Sequence, residues 1–177
     1  MSTINLTKVW DPLLRIFHWS LVTAFFVSFV TEDDLMQLHL FAGYLVLGLL
    51  LFRLIWGLIG PKYARFSDFV RPMSAIVSYL KELMAMRAKH YLGHNPAGGA
   101  MIIALLASLL LTSLTGLATY HLGFGEDFFE EIHEFFANFT LLLVGIHVGG
   151  VIVSSLYHNE NLVRSMFTGT KQLKEME

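Results

Sequence analysis

Four long stretches with almost no charged residue organise the chain. They lie between Arg15 and Glu32, between Asp34 and Arg53 with an apolar extension to Gly60, between Lys89 and Glu126, and between Glu134 and Glu160. A bilayer core of ~30 Å takes about 20 helical residues, and fewer when the flanks adapt, so each stretch can supply one spanning helix. The first stretch has Lys8 and Arg15 as a basic flank, as a signal peptide would. It ends in Thr31-Glu32-Asp33-Asp34 with no small-x-small cleavage pattern, which predicts a retained helix. Between the second and third stretches, Pro72 is followed by Ile76, Val77, Leu80, Leu83 and Met84, with Lys81, Glu82 and Arg87 interspersed. That stripe predicts an amphipathic helix, lying on the membrane surface or, alternatively, docking a partner. His90, Tyr91, Gly93, His94, Asn95, Pro96 and Gly98-Gly99 then form the turn into the third span. No internal repeat or low-complexity segment interrupts the pattern.

Composition agrees with a membrane protein: of 177 residues, 55 % are hydrophobic and only 15 % are charged, too apolar for a soluble domain of this length. Four spans leave little chain for anything else, so residues 1–177 are expected to form a single integral membrane domain. A net charge of -2 carries no bias towards nucleic acid. The absence of cysteine excludes disulfides, thiolate-bound zinc, iron–sulfur clusters and covalent haem attachment.

The distribution of charge is more informative than its sum. All 12 Lys and Arg residues fall in the N-terminus (Lys8, Arg15), the segment Arg53 to Lys89, and the tail Arg164 to Lys174. The other two connections carry acids: Glu32, Asp33 and Asp34 in one, and Glu126, Asp127, Glu130, Glu131 and Glu134 at the other. The positive-inside rule then predicts an all-α, four-transmembrane-helix bundle with both termini cytoplasmic. The amphipathic helix becomes a cytoplasmic surface helix between the second and third spans.

Four histidines fall within the spans. Ionisable side chains are disfavoured in a bilayer and mark function by default, although a single one is more often a hydrogen-bonded interior residue. His133 and His147 are 14 residues apart, close to four helical turns and a rise of roughly 21 Å, so one helix carries a histidine near each membrane surface. On the predicted topology, His18 lies at the inner depth and His39 at the outer. Each depth then holds two imidazoles from different helices. This suits two haems with axial pairs His18/His147 inside and His39/His133 outside. Gly43, one turn from His39, allows close approach of a flat macrocycle, as do Gly145, Gly149 and Gly150 near His147, though small residues are common at membrane helix interfaces anyway. Arg15 and Arg53 are candidate partners of the inner haem propionates, a position that snorkelling alone also explains. His90, His94, His121 and His158 lie in loops or at helix ends, and the two loop residues are expected to be dispensable for haem.

Several motifs occur in order: Val9-Trp10-Asp11 leading to Arg15-Ile16-Phe17-His18-Trp19, His39-Leu40-Phe41-Ala42-Gly43-Tyr44 with Arg53-Leu54-Ile55-Trp56-Gly57, Gly93-His94-Asn95-Pro96-Ala97-Gly98-Gly99, and Ile132-His133-Glu134 leading to His147-Val148. Their combination resembles the b-type cytochrome subunit of nickel-iron hydrogenases, within the bacterial cytochrome b-561 group, over nearly the whole chain. The resemblance implies a dihaem cytochrome b of the bacterial inner membrane, with two non-covalent haems b, that exchanges electrons with the quinone pool. Its ligand positions fall on His18, His39, His133 and His147, the same four that depth selects.

Three functions are open at this point. The first is electron transfer between quinone and an outer-side redox protein, a hydrogenase or a basic c-type cytochrome, with this chain a subunit of a quinone oxidoreductase or a carrier alone, singly or as a homo-oligomer. The second is a superoxide-to-quinone oxidoreductase, suggested by a related branch; eight carboxylates and no Lys or Arg on the predicted outer side would repel that anion. The third is a haem-free transporter or proton relay built on the histidines.

Overall fold

The computed structural model describes residues 5–31, 35–122 and 125–173. The order is β1 (Asn5–Lys8), α1 (Pro12–Val30), α2 (Met36–Ile59), α3 (Phe66–Phe69), α4 (Met73–Met84), α5 (Pro96–His121), α6 (Glu126–His158), α7 (Leu162–Thr168) and β2 (Thr170–Leu173). Four of these, α1, α2, α5 and α6, are long and apolar enough to cross a membrane. Between 11 and 22 % of their most apolar windows is buried within the protein, which leaves most of the apolar side-chain surface for lipid.

Local chemistry sets the helix starts. Asp11 precedes Pro12, and its Oδ1 accepts from Leu14 N at 3.0 Å. Asn95 precedes Pro96 and accepts from Gly98 N at 2.7 Å. Both are N-caps followed by a proline at the first helical position, where its missing N–H has no partner to lose. The amphipathic helix expected after Pro72 is α4. Helix α6 begins at Glu126, eight residues before the apolar run starts at Glu134, since carboxylates are stabilising in the first turns of a helix.

The chain divides into two compact units. One comprises Ile16–Ile55 and Ile102–Gly145, and so contains parts of all four long helices. Its core is Ala24 and Phe25 of α1, Val46 and Leu50 of α2 and Leu109 of α5, with Leu141 and Val144 of α6 packed against them. Between α5 and α6 the buried hydroxyls of Ser108 and Thr140 are 2.6 Å apart, a polar tie where lipid could not satisfy either group.

The other unit comprises Met1–Arg15, Trp56–Met101 and Ile146–Glu177. Strands β1 and β2 pair antiparallel in it, from Asn5 opposite Leu173 to Lys8 opposite Thr170. Trp10 is the centre of the clasp they form. Its backbone N–H and that of Val9 donate to Gly169 O at 3.1 and 2.9 Å. Its indole N–H donates to Ser165 Oγ at 3.2 Å. Its ring meets His94 at 4.6 Å between centroids, and His94 meets Phe69 at 4.9 Å. Buried Lys171 donates to Tyr91 O at 3.3 Å and pairs with Glu160 at 3.5 Å.

Candidate functional site

Two of the four predicted histidines come together in the four-helix unit. His39 lies in the first turn of α2 and His133 in the third turn of α6, and their ring centroids are 6.0 Å apart at an interplanar angle of 80°. Each ring is fixed through the same atom. His39 Nδ1 is 2.8 Å from Ser28 O of α1. His133 Nδ1 is 2.8 Å from Thr112 O of α5, with Thr115 Oγ1 at 3.4 Å. A carbonyl can only accept, so both Nδ1 atoms carry the proton and both lone pairs lie on Nε2. This is how metal-binding histidines are oriented and kept in one tautomer.

The pair opens on an apolar cleft. It is lined by both histidines together with Phe25, Phe29, Gly43 and Ala137. A Cβ added at Gly43 would meet nothing within 4 Å, so this glycine keeps a piece of that space clear. Metal–imidazole bonds are about 2 Å long, which puts two rings on opposite sides of one ion roughly 6 Å apart between centres. Among the described residues no third His, Asp or Glu joins the pair to form a metal cage. Two imidazoles alone suit a porphyrin, whose ring supplies the remaining nitrogens.

Gly116 is a site residue that the apolar pattern does not reveal. A Cβ there would lie 2.9 Å from the His133 ring, so only glycine lets the imidazole pack this closely on α5. Its one sequence signal is an isolated glycine inside a long helix, which points to a close approach. Ser28 and Thr112 act through backbone carbonyls and leave no signal in side-chain identity.

The remaining predicted residues are distributed between the units. His18 is half-buried on α1 and its ring meets Trp19 edge-on at 5.0 Å. Arg53, in the same unit, is 2 % exposed and therefore not a snorkelling side chain. His147 is half-buried on the part of α6 that belongs to the other unit. Arg15 of that unit donates to Phe167 O at the end of α7, where unpaired carbonyls favour a cation. His90 pairs with Glu160 at 3.2 Å and His94 with Trp10, so both loop histidines have structural contacts away from the cleft. Of the acids, Glu32, Asp33 and Asp34 lie outside the described residues, as does the Glu126 side chain, whereas Asp127, Glu130, Glu131 and Glu134 occupy the first turns of α6.

The family model described as "Prokaryotic cytochrome b561" matches residues 9–169. The chain belongs to the prokaryotic cytochrome b561 family. Two curated relatives carry the name "Probable Ni/Fe-hydrogenase B-type cytochrome subunit". The one from Rhizobium leguminosarum bv. viciae is 23 % identical over 215 residues, covering 96 % of this chain and 90 % of the relative. The one from Azotobacter vinelandii is 23 % identical over 215 residues, covering 94 % and 89 %. No solved structure matches. As a cytochrome b561 family member the chain is a multi-pass membrane protein of prokaryotic type that transfers electrons by b-type haem. Haem b needs no cysteine, in keeping with a chain that has none.

Proposed function

We propose that this cytochrome carries electrons through two haems b between the quinone pool and a redox protein on the outer side of the membrane. The observation that carries the reading is the His39/His133 pair, with both Nδ1 atoms held by backbone carbonyls across a cleft that Gly43 keeps open. A bound haem supplies reversible one-electron chemistry at its iron. The chain's part is to fix both imidazoles and to exclude water with the Phe25, Phe29 and Ala137 walls.

The second pair, His18 and His147, rests on helical spacing and on the family resemblance. His147 is 14 residues beyond His133 on the continuous helix α6, nearly on the same face and roughly 21 Å along it. Arg53, and Arg15 beyond its bond to Phe167, are the proposed cations for the propionates of that haem. The clustering of all Lys and Arg supports cytoplasmic termini, with α4 on the cytoplasmic surface and the whole chain one functional membrane domain. The relatives' names support a hydrogenase as the partner, and the acid-rich connections suit a basic face on that partner.

Pyridine haemochrome quantitation of the purified protein tests the reading. Two low-spin haems b per chain are expected. A ratio near one would remove one of the two pairs, and a ratio near zero would remove the electron-transfer reading and leave a histidine relay.

A further inference from the structure

The haem proposed between His39 and His133 brings two propionates into a place with almost no positive charge. Among the residues of the four-helix unit the only Lys or Arg is Arg53. It lies 14 residues beyond His39 on α2, roughly 21 Å along the helix. The same stretches of sequence contain eight carboxylates, Glu32, Asp33 and Asp34 in one and Glu126, Asp127, Glu130, Glu131 and Glu134 in the other. Neither a guanidinium nor an ammonium of this unit is near the histidine pair.

A different pair of side chains stands at the cleft. Tyr44 lines it, and its hydroxyl is 2.7 Å from Nε2 of His121, the last residue of α5. Both are exposed, at 46 % for Tyr44, which places them towards the mouth and not in the packed core. Tyr120 also lines the cleft, and its ring meets that of His121 edge-on at 5.0 Å. Apart from the proposed ligands His18, His39 and His133, His121 is the only side chain of the described four-helix unit, besides distant Arg53, that can become a cation. The neighbouring titratable groups are Tyr44 of α2, Tyr120 of α5 and the acids Asp127, Glu130, Glu131 and Glu134 of α6.

We infer that Tyr44 and His121 form the propionate anchor of the haem held by His39 and His133, and that His121 takes up the proton that balances its electron. The inference rests on the ligand reading above. With the imidazole protonated, Nε2–H donates to the tyrosine oxygen, and the tyrosine O–H is left to donate to a carboxylate, a charge-assisted bond. One electron delivered by a quinol or partner protein to a haem held there would be matched by one proton from water taken up at the His121 imidazole. On oxidation both leave. The net charge at this end of the protein is then the same in both redox states, which the low dielectric of a membrane protein favours.

Potentiometric titration of the purified holoprotein from about pH 5.5 to 8.5, the range in which imidazoles ordinarily titrate, tests this. In the wild type, one of the two haems should lower its midpoint potential as pH rises, by up to ~59 mV for each tenfold fall in proton activity, the limit for one proton per electron. His121→Ala and His121→Gln should both cut that slope at least twofold and lower the potential at the acid end, with the haem still bound and the other haem unmoved. Tyr44→Phe should reduce the slope less, and Tyr120→Phe should leave it as in the wild type. An unchanged slope in both His121 variants overturns the anchor while leaving the ligand reading intact. If the pH-sensitive haem survives both His39→Ala and His133→Ala, the ligand reading itself fails, and the anchor with it.

Discussion

At the residue scale, the cleft is defined less by the two histidines than by what fixes them. Both imidazoles are oriented by backbone carbonyls, and His133 also fits because α5 presents no side chain at Gly116. On the proposed ligand assignment, removal of either imidazole of a pair should empty one haem pocket: His39→Ala and His133→Ala are expected to lose the same haem, and His18→Ala and His147→Ala the other, as read by redox titration. Gly116→Ala is a finer probe. A Cβ 2.9 Å from the ring forces the imidazole to move by a few tenths of an ångström against its bond to Thr112 O. The expected result is a low-spin haem with a displaced midpoint potential, or partial occupancy of that one site, with the protein still folded. An unchanged spectrum and potential would show that the His133 ring lies elsewhere when haem is bound.

At the scale of elements, the terminal clasp makes the clearest demands. Gly169 ends α7 in the left-handed region at φ 81°, and a Cβ there would lie 2.8 Å from Trp10 O. Gly169→Ala therefore combines a disfavoured backbone with a clash, a loss of about 1–3 kcal/mol from the backbone alone, measurable as a lower unfolding temperature in detergent. Lys171 adds a pH dependence. Burial pushes its ammonium below the usual lysine range, and the Glu160 carboxylate opposes this without cancelling it. A folded value below the unfolded one means that the folded state releases the proton more readily. Its contribution to stability is complete above the unfolded value and is lost as pH falls through the lowered folded value. Unfolding of the wild type, compared with Lys171→Met, should accordingly show a relative gain in stability as pH rises towards the usual lysine range. At neutral pH the single variant should be destabilised, because it leaves the half-buried Glu160 beside His90 alone, and Lys171→Met with Glu160→Gln should recover most of the loss.

At the scale of the whole molecule, the two ends of the chain's charge pattern face different tasks. Acids contribute little to topology, so eight of them in the two Lys- and Arg-free connections exceed what insertion asks for. Four of the five at α6 lie in its described first turns, where they favour the positive end of the helix dipole. Capping uses few of them, and the rest suit a positively charged partner. Complementary charge speeds encounter more than it tightens the complex. In stopped-flow reduction a basic donor protein should therefore react faster than an acidic one. Its rate should fall steeply with salt, since exposed charges are screened beyond ~10 Å at 0.1 M. A rate indifferent to donor charge and to salt would assign the acids to structure alone.

Class, span number and family were all legible in the one-dimensional pattern, because hydropathy and the placement of Lys and Arg act residue by residue, with no need to know what packs on what. The four runs became α1, α2, α5 and α6, and the stripe after Pro72 became α4. The motif residues Trp10, Asp11, His94 and Asn95 proved to be the clasp and the helix caps of one unit. Helical spacing and depth could also select His39 and His133 as a pair. Only the tertiary structure decided which nitrogen of each is held by a backbone carbonyl, that Gly116 and not merely Gly43 shapes the site, and that Tyr44 reaches His121 across 77 positions of sequence. It also decided the strand pairing of β1 with β2, which joins residues more than 160 positions apart. The physical reason is the same in each case. Backbone carbonyls, the absence of a side chain and long-range hydrogen bonds have no periodicity along the chain, so they acquire meaning only when helices are placed beside one another.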